Sequence, residues 1–249
     1  MDNYFYELRY NNDIHEWRAK MRRALLHTVW QWYGKPLRHN PVRILDIGCG
    51  TGVNIVSLGK IGSVWGTDVS SMAVTFCKKR GLRNVIQATA EKMPVRSDRF
   101  ELISAIDVIE HIHDDDGALK ELYRICASRG LLTVVVPAFR FLWSDRDERL
   151  QHERRYTTKE LKLKIEQAGF TVLKCSYIDT FLFPPLLLLV RLGLLSGKRP
   201  TIRMDVAPRL AILDRCWLAA GHLERLLLRW FNFPLGVSVL CVGQKDGNP

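Results

Sequence analysis

The chain of 249 residues, 47% of them hydrophobic, can bury one substantial core or one core plus an appended subdomain. Its six cysteines stand singly with no Cys-x-x-Cys pair, which argues against a zinc knuckle or a disulfide framework and suits a reducing cytoplasm. The net charge of +11 points to anionic partners, but no basic groove interleaved with base-stacking aromatics is readable, so nucleic acid is disfavoured.

Residues 1–40 look helical, with Tyr4, Phe5, Tyr6, Tyr10, Trp17, Trp30, Trp32 and Tyr33 set among basic residues. Trp17 or Tyr10 could wall a substrate pocket; ordinary aromatic packing is the competing role. Met1 to Tyr10 lacks the apolar stretch of a signal peptide, and Pro36 and Pro41 bracket the passage into the first strand. From residue 42 strands and helices alternate, the pattern of a doubly wound parallel α/β sheet. Strands are expected at 42–47, 63–68, 84–88, 100–106 and 131–136, then at 170–177 and 237–244. Helices are expected near 53–60, 71–81, 115–127 and 158–168, with Gly81, Gly130 and Gly169 at their ends.

The first strand runs into Asp46-Ile-Gly48-Cys49-Gly50-Thr-Gly52, and the second ends 22 residues after Asp46 in Asp68. Alternate glycines let the backbone approach a ligand, and a carboxylate ending the second strand is placed for ribose hydroxyls. A dinucleotide fingerprint would space its glycines Gly-x-Gly-x-x-Gly. Here they follow Gly-x-Gly-x-Gly, with an acid two residues upstream that would repel a pyrophosphate. That pattern resembles the cofactor loop of class I S-adenosylmethionine (SAM) methyltransferases, more narrowly a type 11/23-like branch. The resemblance implies a seven-stranded Rossmann-like sheet with SAM as cofactor. It also implies a cofactor set of Asp46, Gly48, Cys49, Gly50, Gly52, Asp68, Val69, Thr89, Ala90, Glu91 and Ile106. Thr89 stands where the family usually places an Asp against the adenine amino group.

After the fourth strand comes Asp107-Val-Ile-Glu110-His111. Asp107, Glu110 and His111, with His152 as a fourth ligand, resemble the metal-binding pattern of ubiquinone-biosynthesis O-methyltransferases and small-RNA 3′-end methyltransferases. The other reading is metal-free and is favoured, because Val-Ile-Glu-His resembles a segment widespread in metal-free small-molecule methyltransferases, and Asp107 is shorter than the usual Glu. It has His111 as general base, with Glu110 and His152 alongside in the catalytic set. Leu-Trp143-Ser and His152-Glu-Arg154-Arg155-Tyr156 resemble segments of the same branch. Trp143, Arg154, Arg155 and Tyr156 would border the acceptor, the arginines clamping an anion. Alternatively one arginine pairs with Asp145 or Asp147 and orders the loop.

Before the last strand lies an insertion, residues 181–235, with eight Lys/Arg against three Asp/Glu. Its apolar run Phe181 to Val190 falls short of the roughly 20 residues of a spanning helix. A helix near 207–231, reached through Lys198-Arg199-Pro200, carries Leu210, Leu213, Trp217, Ala220, Leu223, Leu227 and Trp230 as one apolar stripe. Arg215, His222, Arg225 and Arg229 lie largely opposite. Apolar and basic together suggest an anionic membrane surface touched by residues 181–231; a solvated basic face is the bland alternative. Leu186 to Leu195 offers a homodimer surface.

The expected organisation is thus a lid (1–40), a SAM-binding core (41–180), the insertion (181–235), and the last strand with its tail (236–249). The expected function is a cytoplasmic, peripherally membrane-associated SAM-dependent methyltransferase. Its acceptor would be a small molecule or a lipid- or glycan-linked compound, methylated at a hydroxyl or amine. The alternatives are a metal-dependent RNA methyltransferase and a non-catalytic SAM-fold partner protein.

Overall fold

The computed structural model describes residues 6–7, 10–11, 16–34, 41–192 and 211–247. Tyr4, Phe5, Pro36, Lys198, Arg199, Pro200, Leu210 and the start of the expected long helix lie outside these residues. So do residues 193–195 of the expected dimer surface.

Seven strands form one sheet: β1 (Val42–Ile47), β2 (Gly62–Asp68), β3 (Val85–Gln87), β4 (Phe100–Ile106), β5 (Cys126–Pro137), β6 (Thr171–Ile178) and β7 (Ser238–Gln244). Their order is β3-β2-β1-β4-β5-β7-β6, with β7 alone antiparallel to its neighbours. β1, β4 and β5 are apolar on both faces because helices cover both sides, as a parallel sheet requires. The covering helices are α1 (Trp17–Tyr33), α2 (Val53–Leu58), α3 (Ser71–Lys79), α4 (Asp115–Ile125), α5 (Asp145–Arg149), α6 (Thr158–Gln167), α7 (Phe183–Arg191) and α8 (Ala211–Leu228). Side chains start several of them: Ser70 and Asp114 accept backbone N–H groups of α3 and α4, and Thr157 with Glu160 forms a capping box on α6.

β5 begins at Cys126, several residues before the expected strand, so α4 stops at Ile125. Cys126 pairs with Phe100, and the register slips before Leu131 joins Leu102. A bulge therefore absorbs Arg129 and Gly130, which sequence periodicity assigned to a helix end.

The face of the long helix that packs is rotated from the expected apolar stripe and shares Trp217 with it. Leu223 and Trp230 are exposed, whereas Glu224 and Leu228 are buried and a side chain at Gly221 would strike Met21 of α1. The small residue permits close approach of α8 to α1, and Glu224 finds partners that the periodicity could not count. Trp17 stacks on Trp217 across the same contact, with ring centroids 6.1 Å apart.

The strand exits place the site. Asp107 after β4, Phe139 after β5 and Asp179 after β6 all take left-handed φ between +54° and +59°. Non-glycine residues occupy this region at a cost, and all three lie at the carboxyl edge of the sheet, where such folds bind ligands.

Candidate active site

β1 leaves the sheet through Gly48, Gly50 and Gly52, with φ of +62°, +53° and +81°. A side chain at Gly48 would strike Val108, and one at Gly52 would strike Leu82 and Cys77. At Gly50 it would meet nothing within 4 Å. Two glycines therefore serve protein packing, and the turn is open at the third.

Asp68 fastens this turn from below. Its Oδ2 accepts the Gly50 N–H and its Oδ1 the Ser70 N–H, both at 2.9 Å. The Asp68 carbonyl accepts the Ala88 N–H at 3.1 Å, and Gln87 Nε2 donates to the Val69 carbonyl at 2.9 Å. These bonds bring Val69, Thr89, Ala90 and Glu91 to the same edge as the glycine turn. Val69, Thr89 and Glu91 are exposed, Ala90 is buried, and Ile106 is half-buried at the end of β4. Cys49 contributes only its backbone, because its side chain is buried with Sγ 3.9 Å from that of Cys77.

Asp46 is 1% exposed. Its Oδ1 accepts the Ser104 hydroxyl at 2.7 Å, while its buried Oδ2 has no hydrogen-bond partner among the described residues. Burial pushes the carboxyl up to about 7. An unsatisfied buried acceptor costs about 1–3 kcal/mol, more when charged. A desolvated acid with one idle oxygen, beside a turn open at Gly50, fits the cationic methionine end of SAM.

A second group lies after β4 and in the loop before α6. Glu110, His111 and His152 each offer one donor atom, and these atoms lie within 4.8 Å of one another. The two imidazoles meet edge to face with centroids 4.7 Å apart. Glu110 is fully buried with both carboxylate oxygens unpartnered, and burial together with the charge of Asp107 raises its pKa well above the ordinary range. His152 Nδ1 lies 2.8 Å from Asp147 Oδ1. A carboxylate there takes the Nδ1 hydrogen and leaves Nε2 as the basic nitrogen. His111 Nδ1 lies 3.3 Å from the Gln151 carbonyl, which assigns its hydrogen in the same way.

Asp107 does not join this cluster. Its left-handed backbone directs the half-exposed carboxylate toward Arg22, with Nε 3.7 Å from Oδ2. The four-residue metal set read from the sequence therefore reduces to three.

The anion clamp is likewise redirected. Arg155 places Nε and Nη2 on the two oxygens of Asp147, each at 2.8 Å, and Nη1 on the Ala138 carbonyl. Arg154 pairs with Asp115 at 2.9 Å and donates to the His113 carbonyl. Tyr156 is buried and donates its hydroxyl to Asp115 at 2.8 Å. The arginines order the loop, and the partner of Arg155 is Asp147. Through His152 and Arg155 the carboxyl of Asp147 is held well below the usual carboxylate range despite its burial. Trp143 is half-buried beyond the 3₁₀ turn Arg140–Leu142.

Sequence reasoning missed Ser104, Arg22 and Glu224. Each is a polar residue in an otherwise apolar strand or helix face, the one signal that could have marked it. Arg22 donates to Asp179 at 2.9 Å and to Ser238 at 2.8 Å, tying together the exits of β4 and β6 and the start of β7.

Residues 45–134 match the family model described as a methyltransferase domain. The ubiquinone/menaquinone biosynthesis C-methyltransferase UbiE of Neisseria meningitidis is 34% identical over 123 residues, covering 45% of this chain and 50% of that protein. Its namesake from Chromobacterium violaceum is 33% identical, covering 44% and 50%. The chain thus spans about half the length of these relatives. Among solved structures, a SAM-dependent methyltransferase of Thermotoga maritima, described as a possible histamine N-methyltransferase, aligns with a TM-score of 0.57 at 22% identity, covering 98% of this chain and 100% of that one. A putative sarcosine dimethylglycine methyltransferase of Galdieria sulphuraria aligns at 0.61 with 13% identity, covering 92% and 86%. These structures share the fold. Residues 45–134 are thus similar to a methyltransferase domain, and the sheet built around them has the fold of solved SAM-dependent methyltransferases.

Proposed function

We propose that the protein transfers a methyl group from SAM to a small-molecule or lipid-linked acceptor at the carboxyl edge of the sheet. The observation that carries this reading is the idle buried oxygen of Asp46 beside a glycine turn fastened by Asp68. Asp46 would hold the methionine ammonium, Gly48 and Gly50 would let the backbone approach, Asp68 would meet the ribose hydroxyls, and residues 88–91 would border the adenine. SAM supplies an activated methyl on a sulfonium; the protein's share is alignment and a dry pocket.

A hydroxyl or amine acceptor sheds a proton as it is methylated. His152 is suited to receive it, because Asp147 orients its ring and leaves Nε2 as the acceptor. His111 stands beside it, with Glu110, whose carboxyl burial and the charge of Asp107 push well above its ordinary range, in the same cluster. The similar relatives are named C-methyltransferases, so carbon is the competing acceptor atom.

A second reading is favoured by the Glu110–His111–His152 cluster itself. One carboxylate and two imidazoles fit a divalent cation, and Asp147 would buttress His152 as such ligands are usually buttressed. A cation there would polarise a hydroxyl acceptor.

Peripheral membrane contact is supported by the insertion. Eight of the thirteen exposed large hydrophobic side chains among the described residues fall within 181–235, Trp230 and Phe231 foremost. Arg229 lies over the Trp230 ring at 5.5 Å. No described helix is long and apolar enough to cross a membrane.

Methyl-labelled SAM offered with a panel of hydroxyl, amine and carbon acceptors tests the reading. Transfer should fall on the order of a hundredfold in His152→Ala, with the affinity for S-adenosylhomocysteine unchanged. Loss of transfer to EDTA and recovery with a divalent cation would favour the second reading. Cofactor binding without transfer to any acceptor would favour a non-catalytic partner role.

A further inference from the structure

Between α1 and α8, at the carboxyl edge of the sheet, lies a cavity of about 280 Å³. That is at the small end of ligand sites, which run from about 300 Å³ upward. Its lining includes the apolar side chains of Leu25, Leu218 and Leu228 and the polar ones of Lys20, His222 and Arg225.

The carboxylates on this cavity are already engaged. Asp179 accepts from Arg22 and Ser238, both at 2.9 Å. Glu224 accepts the backbone N–H groups of Asp179 and Thr180, each at 2.7 Å, and burial pushes it up to about 7. Lys20 and Arg225 have no carboxylate partner among the described residues. Arg225 Nη2 donates to His222 Nδ1 at 2.7 Å, which leaves the Nε2–H of that ring as a donor. The cavity thus presents apolar side chains together with three unneutralised donors. Arg22 links it to the cofactor side, since its guanidinium also faces Asp107, next to Val108, which packs on Gly48.

We propose that this cavity binds a small amphiphile with an anionic group. Its apolar body lies on Leu25, Leu218 and Leu228, and its anion sits among Lys20, His222 and Arg225. An anion there meets donors from two helices, and its apolar part is removed from water.

Titration of the full chain with octyl phosphate, octanol and octyltrimethylammonium, followed by calorimetry, tests the proposal. Octyl phosphate should bind best. The surface changes Lys20→Glu and Arg225→Glu should each weaken it about tenfold or more, and Leu218→Trp should do the same by filling the apolar side. S-adenosylhomocysteine affinity should stay unchanged in all three. Phosphatidylglycerol vesicles that compete with octyl phosphate would identify a lipid headgroup as the source of the anion; vesicles that do not would identify a soluble amphiphile. Equal binding of the cationic and anionic probes, or indifference to the charge reversals, would overturn the proposal. Octyl phosphate binding by a protein that ignores S-adenosylhomocysteine would keep the cavity assignment and overturn the methyltransferase reading.

Discussion

Glu224 of α8 accepts the backbone N–H of Asp179 at 2.7 Å and that of Thr180 at the same distance, fastening the insertion helix to the turn that leaves β6. The turn takes left-handed φ at Asp179, and Arg22 and Ser238 hold the Asp179 side chain. An acid in an apolar segment is therefore the joint between insertion and core.

Replacing Glu224 with Ala would leave two buried N–H groups unsatisfied. We expect a loss of about 1–3 kcal/mol, read by urea denaturation. The pH dependence has a definite sign. Glu224 is raised to about 7 in the folded state, so between the unfolded value near 4.5 and 7 the folded chain binds more protons. Its contribution is therefore lost as pH rises through that window, and Glu224→Gln should flatten the slope there.

Asp46 gives a binding prediction. With its carboxyl raised to about 7, it is mostly protonated at pH 6 and mostly ionised at pH 8. A cationic ligand group needs the ionised form, so S-adenosylhomocysteine should bind about tenfold more weakly at pH 6 than at pH 8. Asp46→Asn should bind weakly at both, with that pH dependence gone. A pH-independent affinity in the parent protein would refute the role given to Asp46.

Asp147 serves His152 and Arg155 together. Its depressed carboxyl contributes stability above the unfolded value near 3.8 that disappears as pH falls through the folded one. Asp147→Asn should lower turnover by about 10²-fold or more, and it should lower stability equally at pH 5 and pH 7 while flattening the loss of stability below the unfolded value. Unaltered kcat in this variant would remove His152 from the role of base.

The exposed pair Trp230 and Phe231 supplies the membrane test. Flotation with phosphatidylglycerol liposomes should be strong for the parent protein and lost in Trp230→Glu/Phe231→Glu. Equal flotation of the two proteins would place the contact elsewhere.

Much of the core was legible because its signals are local. Glycine spacing, the acid at Asp46 and the acid at Asp68 are fixed by what a strand-to-helix turn can do, and strand alternation gave six of the seven strands within a few residues. β5 was foreshortened because a bulge has no periodicity of its own. The site divided in the same way. His111 and His152 were named from sequence, yet the identity of Asp147 as the hub of His152 and Arg155 depends on a loop closing over five to eight residues. Arg22 and Glu224 were invisible because their partners are the exits of strands far along the chain. The stripe on α8 misled because Gly221 and Glu224, not its leucines alone, decide which face packs.

The central claim is that the glycine turn with Asp46 and Asp68 binds SAM. Calorimetric titration with S-adenosylhomocysteine, comparing the parent protein with Asp68→Ala and His111→Ala, tests it most directly. The account predicts one site per chain in the parent, binding weakened about tenfold or more in Asp68→Ala, and unchanged binding in His111→Ala. No binding by the parent, or equal binding by Asp68→Ala, would contradict it.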